Sequence, residues 1–341
     1  MLDADLCKDI TPDERALALT QWAEARIGRY CDWRAVSTDA GTRRYYRAVP
    51  RADPDEAAVD ASESRIAVDA PPESQNSIAF VDVAARAARA GLHVPTVIAF
   101  DATRGFMLIS DLGDQRYLDA FADRDPDPLM NTAIDALIHW QCAMSTDDFR
   151  VIDHDMLLGE LHLFNEWYIK RHLGRMLTTS EASALESTYE LIAGRVGRQH
   201  HVLVHRDYIP RNLMVSDPCP GIIDFQDARA GPIAYDVASL CRDAFIDWPD
   251  ERVRAWQYRY WLGACAAGLP VAAGWAEFQE DLTWAGLQRH LKVLGVFARL
   301  CWRDGKPDYI ADAPRFIRYL QPVVEADPAL APLRAFMVGA E

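Results

Sequence analysis

The hydrophobic periodicity of this chain changes once, around Asp111-Leu112-Gly113, and the change divides it into two differently built parts. Before it, short β-prone runs recur at residues 33–38, 43–49, 65–69, 96–100 and 106–110. The first two flank a polar Asp39-Ala40-Gly41-Thr42 turn, which suggests a hairpin. Residues 50–64 are acidic and rich in Ala, Asp and Ser, so they are read as a solvated loop. One helix is predicted to open at the capping box Thr11-Pro12-Asp13-Glu14 and to stop at Gly28; a second spans 78–90 and stops at Gly91. Beyond the change, Ala133, Ile134, Leu137, Ile138 and Gln141 recur at helical spacing. The remainder reads as helix, interrupted by short apolar runs at 202–204, 213–215 and 222–223. The 341 residues exceed the roughly 250 to 300 that one core can hold. We therefore expect an α+β chain of two lobes: residues 1–112, an antiparallel sheet with one main helix across it, and residues 113–341, mostly helical.

Apolar residues make up 50% of the chain and charged residues 26%, as in a packed globular protein. No apolar run approaches the roughly 20 residues that span a bilayer, and the charged first ten residues lack the apolar stretch of an export signal, so a cytoplasmic location is expected. The seven cysteines stand singly, with no zinc spacing, which suits reduced thiols. A net charge of -15 disfavours nonspecific binding to nucleic acid or an anionic membrane. Nothing in the sequence marks an obligate protein partner. Cations are almost all arginine, because the only lysines are Lys8, Lys170, Lys292 and Lys306.

The residues that carry chemistry are His205-Arg206-Asp207-Tyr208-Ile209-Pro210-Arg211-Asn212, followed after a short hairpin by Ile222-Ile223-Asp224-Phe225. This is H-R-D-x-x-x-x-N and then a D-F pair closing an apolar strand. Phosphoryl transfer needs such a set: one carboxylate to take the acceptor's hydroxyl proton, and an amide oxygen with a second carboxylate to hold magnesium against ATP. Oxygen-only ligands suit a hard cation.

At these residues the chain resembles the superfamily of protein kinases and aminoglycoside and choline phosphotransferases, with its two-lobe protein-kinase-like fold. The resemblance implies ATP and Mg²⁺, Asp207 as catalytic base, Asn212 and Asp224 as metal ligands, and His205, Arg206 and Asp236 as supports of the loop. Asp111-Leu112-Gly113 is then the hinge, and Thr42, Arg43, Arg44, Ser110, Asp111 and Leu112 are the expected nucleotide contacts. Two departures stand out. Gln226 replaces the glycine expected after Asp224-Phe225, and residues 226–245 leave no room for a protein-substrate platform, which favours a small acceptor. The strand-three lysine is absent, with Val68 in its place, and Arg43 or Arg44 is the expected substitute because guanidinium binds phosphate in a bidentate way.

The motifs fix a reaction class and leave the acceptor open: an aminoglycoside, choline, ethanolamine or an amino acid would each be compatible. A non-catalytic nucleotide-binding module has only the absent lysine in its favour. A longer resemblance narrows the choice. Residues 68–73, 91–95, 105–113, 160–168, 224–236 and 288–295 look like the anomeric N-acetylmuramate/N-acetylglucosamine kinases of bacterial peptidoglycan recycling. That family implies ATP-dependent phosphorylation of the C1 hydroxyl of an amino sugar. Glu160, Asn165 and Trp167, close together on a predicted helix, and Arg211 in the catalytic loop supply groups for sugar recognition. The 288–295 segment has core spacing, so Arg289 and Lys292 are left out of the expected site.

Overall fold

The computed structural model describes residues 13–36, 43–51, 64–73 and 77–337; Thr11, Thr42 and most of the acidic 50–64 segment lie outside these. The chain forms two units, Met1–Gln115 with Met214–Asp227, and Arg116–Leu213 with Ala228–Glu341.

In the first unit, helix α1 (Glu14–Ile27) begins where the Asp13 carboxylate accepts the Ala16 N–H at 2.7 Å. It ends at Gly28, whose φ of 78° is the left-handed conformation that closes helices. Strands β1 (Cys31–Val36), β2 (Arg44–Pro50), β3 (Arg65–Asp69), β4 (Val97–Asp101) and β5 (Phe106–Ser110) make one antiparallel sheet in the order β1-β2-β3-β5-β4. Strand alternation turns Tyr46, Ala67, Phe106 and Leu108 to one face, where Leu19, Trp22 and Ala23 of α1 complete a core. Helix α2 (Ser77–Arg89) brings Phe80 against Phe225, ring centroids 4.9 Å apart.

The simple division at residue 112 is therefore corrected. The 214–227 hairpin returns to the first unit because it hydrogen-bonds there: Val215 N–H donates to Gln115 at 2.8 Å and Ile222 N–H to His93 at 2.8 Å. Leu112 also fills the space beside Gly221, 2.8 Å from where a Cβ would stand.

The second unit contains helices α3 (Tyr117–Ala120), α4 (Pro126–Ala143) and α5 (His154–Leu163), then a π-helix over Phe164–His172 and helix α6 (Thr179–Gly197). Strand β6 (His201–Val204) leads to the catalytic motif, and the short pair β7 (Leu213–Met214) and β8 (Gly221–Ile222) separates Asn212 from Asp224. Strand β9 (Arg229–Pro232) pairs antiparallel with β6. Its Arg-Ala-Gly-Pro sequence reads as a turn, so here tertiary pairing overrides local preference. Helices α7 (Tyr235–Cys241), α8 (Asp250–Ala266), α9 (Trp275–Trp302) and α10 (Ala313–Ala326) complete the unit. Helix α9 packs so closely on the α5/π-helix junction that a Cβ on Gly295 would lie 2.4 Å from the Leu163 carbonyl carbon. Among the described residues no helix is long and apolar enough to cross a membrane.

Candidate active site

The catalytic loop of the second unit hangs from β6 and is clamped from three sides. Asp236, fully buried at the start of α7, accepts the backbone N–H of His205 at 2.6 Å and of Arg206 at 2.9 Å. This is the bracing aspartate that the resemblance implied. Burial pushes its carboxyl up to about 6, against the pull of His205 and the two N–H groups. The clamp permits an unusual backbone: Arg206 has φ 78°, a strained conformation for a residue with a side chain, of order 1–3 kcal/mol. His205 is wholly buried between Trp140 and Tyr208, with centroids 5.7 and 5.6 Å away. Tyr208 donates to the Ala133 carbonyl at 2.8 Å and Trp140 to the Leu203 carbonyl at 3.0 Å, which ties the loop to α4.

Asp207 keeps some solvent exposure at the tip of this loop. Burial would raise its carboxyl, but Lys292, Arg289, Arg206 and His205 outweigh that and hold it below the ordinary carboxylate range. It is ionised at neutral pH, as a proton acceptor must be. Asn212 donates its amide nitrogen to the Asp207 carbonyl at 2.9 Å, and this bond turns the amide oxygen to the opposite side of the group. Arg211 lies over the Phe245 ring, 4.7 Å from its centroid, and also draws down the Asp119 carboxyl, which Arg116 holds most strongly.

Glu160, expected among the sugar-recognising groups, is 11% exposed and bonds Arg206 at 2.6 Å, Lys292 at 3.2 Å and Gln288 at 2.9 Å. Burial raises its carboxyl, yet the Lys292 and Arg206 charges hold it below its usual value. Lys292 in turn donates to Tyr235 at 3.1 Å; burial would discharge it, but Tyr235 and Glu160 keep its pKa raised. The arginine of the catalytic motif is thus anchored through α5 to α9. Sequence reasoning left Lys292 out because Leu291 and Leu294 read as core; the Gln288/Lys292 spacing of i, i+4 was the available signal.

Asn165 and Trp167 do not share a regular α-helical face with Glu160, because the winding changes to i→i+5 at Phe164, where Gly295 makes its close approach. Both are half-buried, and the Asn165 Oδ1 is sealed without a hydrogen-bond partner.

In the first unit, Asp224 has φ 65°, and Gln226 donates its amide nitrogen to the carboxylate at 2.7 Å. The residue in the glycine position therefore orients the aspartate. The two expected phosphate arginines differ. Arg44 pairs with Asp13 and, at 2.7 Å, with the wholly buried Asp69, which Arg15 also holds at 2.6 Å. Arg43 is 8% exposed with its Nε unpartnered. At the expected hinge residues, Asp111 accepts from Arg47 at 2.5 Å, from Ser64 at 2.8 Å and from the Gly113 N–H at 3.0 Å. Ser110 accepts the Thr96 N–H at 2.9 Å. Both side chains are thus occupied within the first unit.

A family model described as a phosphotransferase enzyme family matches residues 32–280. The chain belongs to that family, and with its sheet unit, its helical unit and the H-R-D loop it is a kinase-like phosphoryl-transferring enzyme. It is 44% identical over 298 residues to the "N-acetylmuramate/N-acetylglucosamine kinase" of Pseudomonas aeruginosa, covering 87% of this chain and 85% of that one. A protein of the same name from Pseudomonas putida is 42% identical over 312 residues, covering 92% and 88%. A Plasmodium vivax ethanolamine kinase superposes with a TM-score of 0.64 at 11% identity, over 94% of this chain and 93% of that one, which is a likeness of fold alone.

Proposed function

We propose that the enzyme transfers the terminal phosphoryl group of ATP to the anomeric hydroxyl of N-acetylmuramate and N-acetylglucosamine, giving the sugar 1-phosphate used again in peptidoglycan synthesis. The observation that carries this reading is identity of 42% and 44%, over at least 85% of each chain's length, with two relatives of that name.

In this reading the Asp207 carboxylate takes the proton of the C1 hydroxyl as the bond from oxygen to phosphorus forms and the bond to ADP breaks. A hemiacetal hydroxyl is more acidic than an ordinary alcohol, so an aspartate held below its usual pKa is basic enough once transfer is under way. The loop's clamps keep this carboxylate in place before substrate arrives, so little reorganisation is needed at reaction.

Asn212 and Asp224 fit magnesium: both are hard oxygen donors whose orientation is set by a neighbouring amide bond. When bound with ATP, the ion supplies positive charge against the phosphates. Arg43 is the better candidate for the charge of the absent lysine, since Arg44 is committed to Asp13 and Asp69.

The test is ADP release over a panel of N-acetylmuramate, N-acetylglucosamine, choline and kanamycin, with phosphorus NMR of the product. Turnover of the two amino sugars and a phosphorus signal coupled to the anomeric proton are expected. Turnover of choline or kanamycin alone would refute this reading.

A further inference from the structure

Arg206 stands directly before Asp207 with a left-handed φ of 78°, a conformation that would relax if its side chain and backbone were released. Two holds prevent this. Its backbone N–H donates to Asp236 of α7 at 2.9 Å, and its Nη2 donates to Oε1 of Glu160 on α5 at 2.6 Å. The same Oε1 lies 3.2 Å from the Lys292 Nζ of α9, and Gln288 donates to the other oxygen at 2.9 Å. Lys292 also donates to the Tyr235 hydroxyl at 3.1 Å, and Tyr235 is the residue next to Asp236. The contacts thus close a ring, from the Arg206 side chain through Glu160, Lys292 and Tyr235, then along one peptide to the carboxylate that holds the Arg206 backbone. Lys292 joins the two holds. The ring is also shielded from solvent: side-chain exposure is 13% for Arg206, 11% for Glu160 and 13% for Lys292, and Tyr235 is 1% exposed. Burial works against both charges, yet Lys292 and Arg206 keep Glu160 ionised, while Tyr235 and Glu160 keep Lys292 charged. For fold stability alone such a pair gains little, because desolvation cancels most of the attraction and apolar residues would serve as well.

We propose that Lys292 and Glu160 are positioning residues for phosphoryl transfer: acting through Arg206, they fix the loop backbone from which the Asp207 carboxylate meets the acceptor's hydroxyl. The inference rests on the kinase reading above, in which Asp207 is the base, and deepens it by giving the carboxylate on α5 a role other than sugar recognition. A carboxylate that binds a sugar offers it an oxygen; here Oε1 already takes two donors and Oε2 a third. Misplacing a reacting group by about 1 Å costs about 10²-fold in rate. The ring therefore acts on the chemical step and leaves the binding of both substrates alone.

The test measures kcat, KM for ATP, KM for each amino sugar and Tm in Lys292→Met, Glu160→Gln and the double variant. Each single change is expected to lower kcat about 10- to 100-fold, the loss of a charged hydrogen bond behind the loop, with every KM within about threefold of wild type. The double variant should be no slower than the slower single one, because links of one ring are not independent. Tyr235→Phe removes only the hydroxyl that Lys292 meets. It should show the same split between kcat and KM, about three- to tenfold in kcat, at a Tm close to wild type, and it decides the matter if Lys292→Met does not fold. Unchanged kcat in Lys292→Met or Tyr235→Phe, whatever the Tm, would overturn the proposal, as would multiplicative losses in the double variant. A raised sugar KM with kcat intact in Glu160→Gln would also overturn it and return Glu160 to sugar recognition. Failure of the wild type to use either amino sugar would refute the acceptor reading alone, and the same split would then be read on whichever acceptor of the panel is phosphorylated.

Discussion

Arg43 and Arg44 are neighbours in sequence with opposite surroundings, and they show what single residues can and cannot reveal. Strand alternation sends them to different faces of the sheet, so one meets Asp13 and Asp69 while the other is buried with Nε unpartnered. Arg44→Ala should therefore lower stability by about 1–2 kcal/mol, less than a fully buried pair because Arg44 is partly exposed, with little change in KM for ATP. Arg43→Ala should raise KM for ATP about tenfold or more and leave Tm nearly as it was. Urea denaturation and steady-state kinetics on the two variants check this; equal effects on KM would leave Arg43 with no special role. At the catalytic loop, Asp207→Asn should lower kcat about 10²- to 10⁴-fold and spare KM for ATP, since the proton moves only as the transition state forms. Asp207 was legible in the sequence as a motif position. Glu160 was not, because a carboxylate on a predicted helix looks the same whether it faces water or three buried donors.

At the scale of elements, the junction of α5 and the π-helix is the part that local sequence hid most completely. The run from His154 to His172 reads as one helix, and nothing in its residues announces the change of winding at Phe164. The cause lies on another element: Gly295 lets the α9 backbone touch the junction, with Leu163 and Phe164 backbone atoms 2.4 to 2.6 Å from where a side chain would begin. Backbone cannot yield as a flexible side chain can. Gly295→Ala should thus cost roughly 1–3 kcal/mol by overpacking, seen as a lower urea midpoint. Because Gln288 and Lys292 ride on the same helix, kcat should fall too. A variant as stable as wild type would show that the close approach is unimportant. By contrast, β3 and β5 fall at their expected residues, and β1, β2 and β4 within two residues at either end, since strand alternation and bounding prolines are local signals.

For the molecule as a whole, activity and stability should respond to acid in opposite directions. Asp236, pushed up to about 6, must be ionised to hold the His205 and Arg206 N–H groups, whereas Asp207 stays ionised well below that. At saturating substrates kcat is expected to fall as pH drops through about 6; an acid limb lying wholly below the ordinary 3.8 of an aspartate would implicate Asp207 instead. Stability carries the reverse sign. A folded pKa above 3.8 means that the native state binds more protons than the unfolded chain between 3.8 and about 6. The contribution of Asp236 and Asp243 is therefore complete below 3.8 and lost by about 6, so their share of Tm should decline across that window and be flat above it. The sequence by itself determined the two-part architecture and the reaction, because periodicity is a local property and phosphoryl transfer requires a fixed order of oxygen-bearing side chains around one strand pair. Only the tertiary structure decided which charges brace the loop: Asp236 of α7, and Glu160 of α5 with Lys292 of α9. A carboxylate or guanidinium takes its role from what is packed around it, and that packing comes from helices distant in sequence, Gln288 standing 128 residues from the Glu160 it bonds.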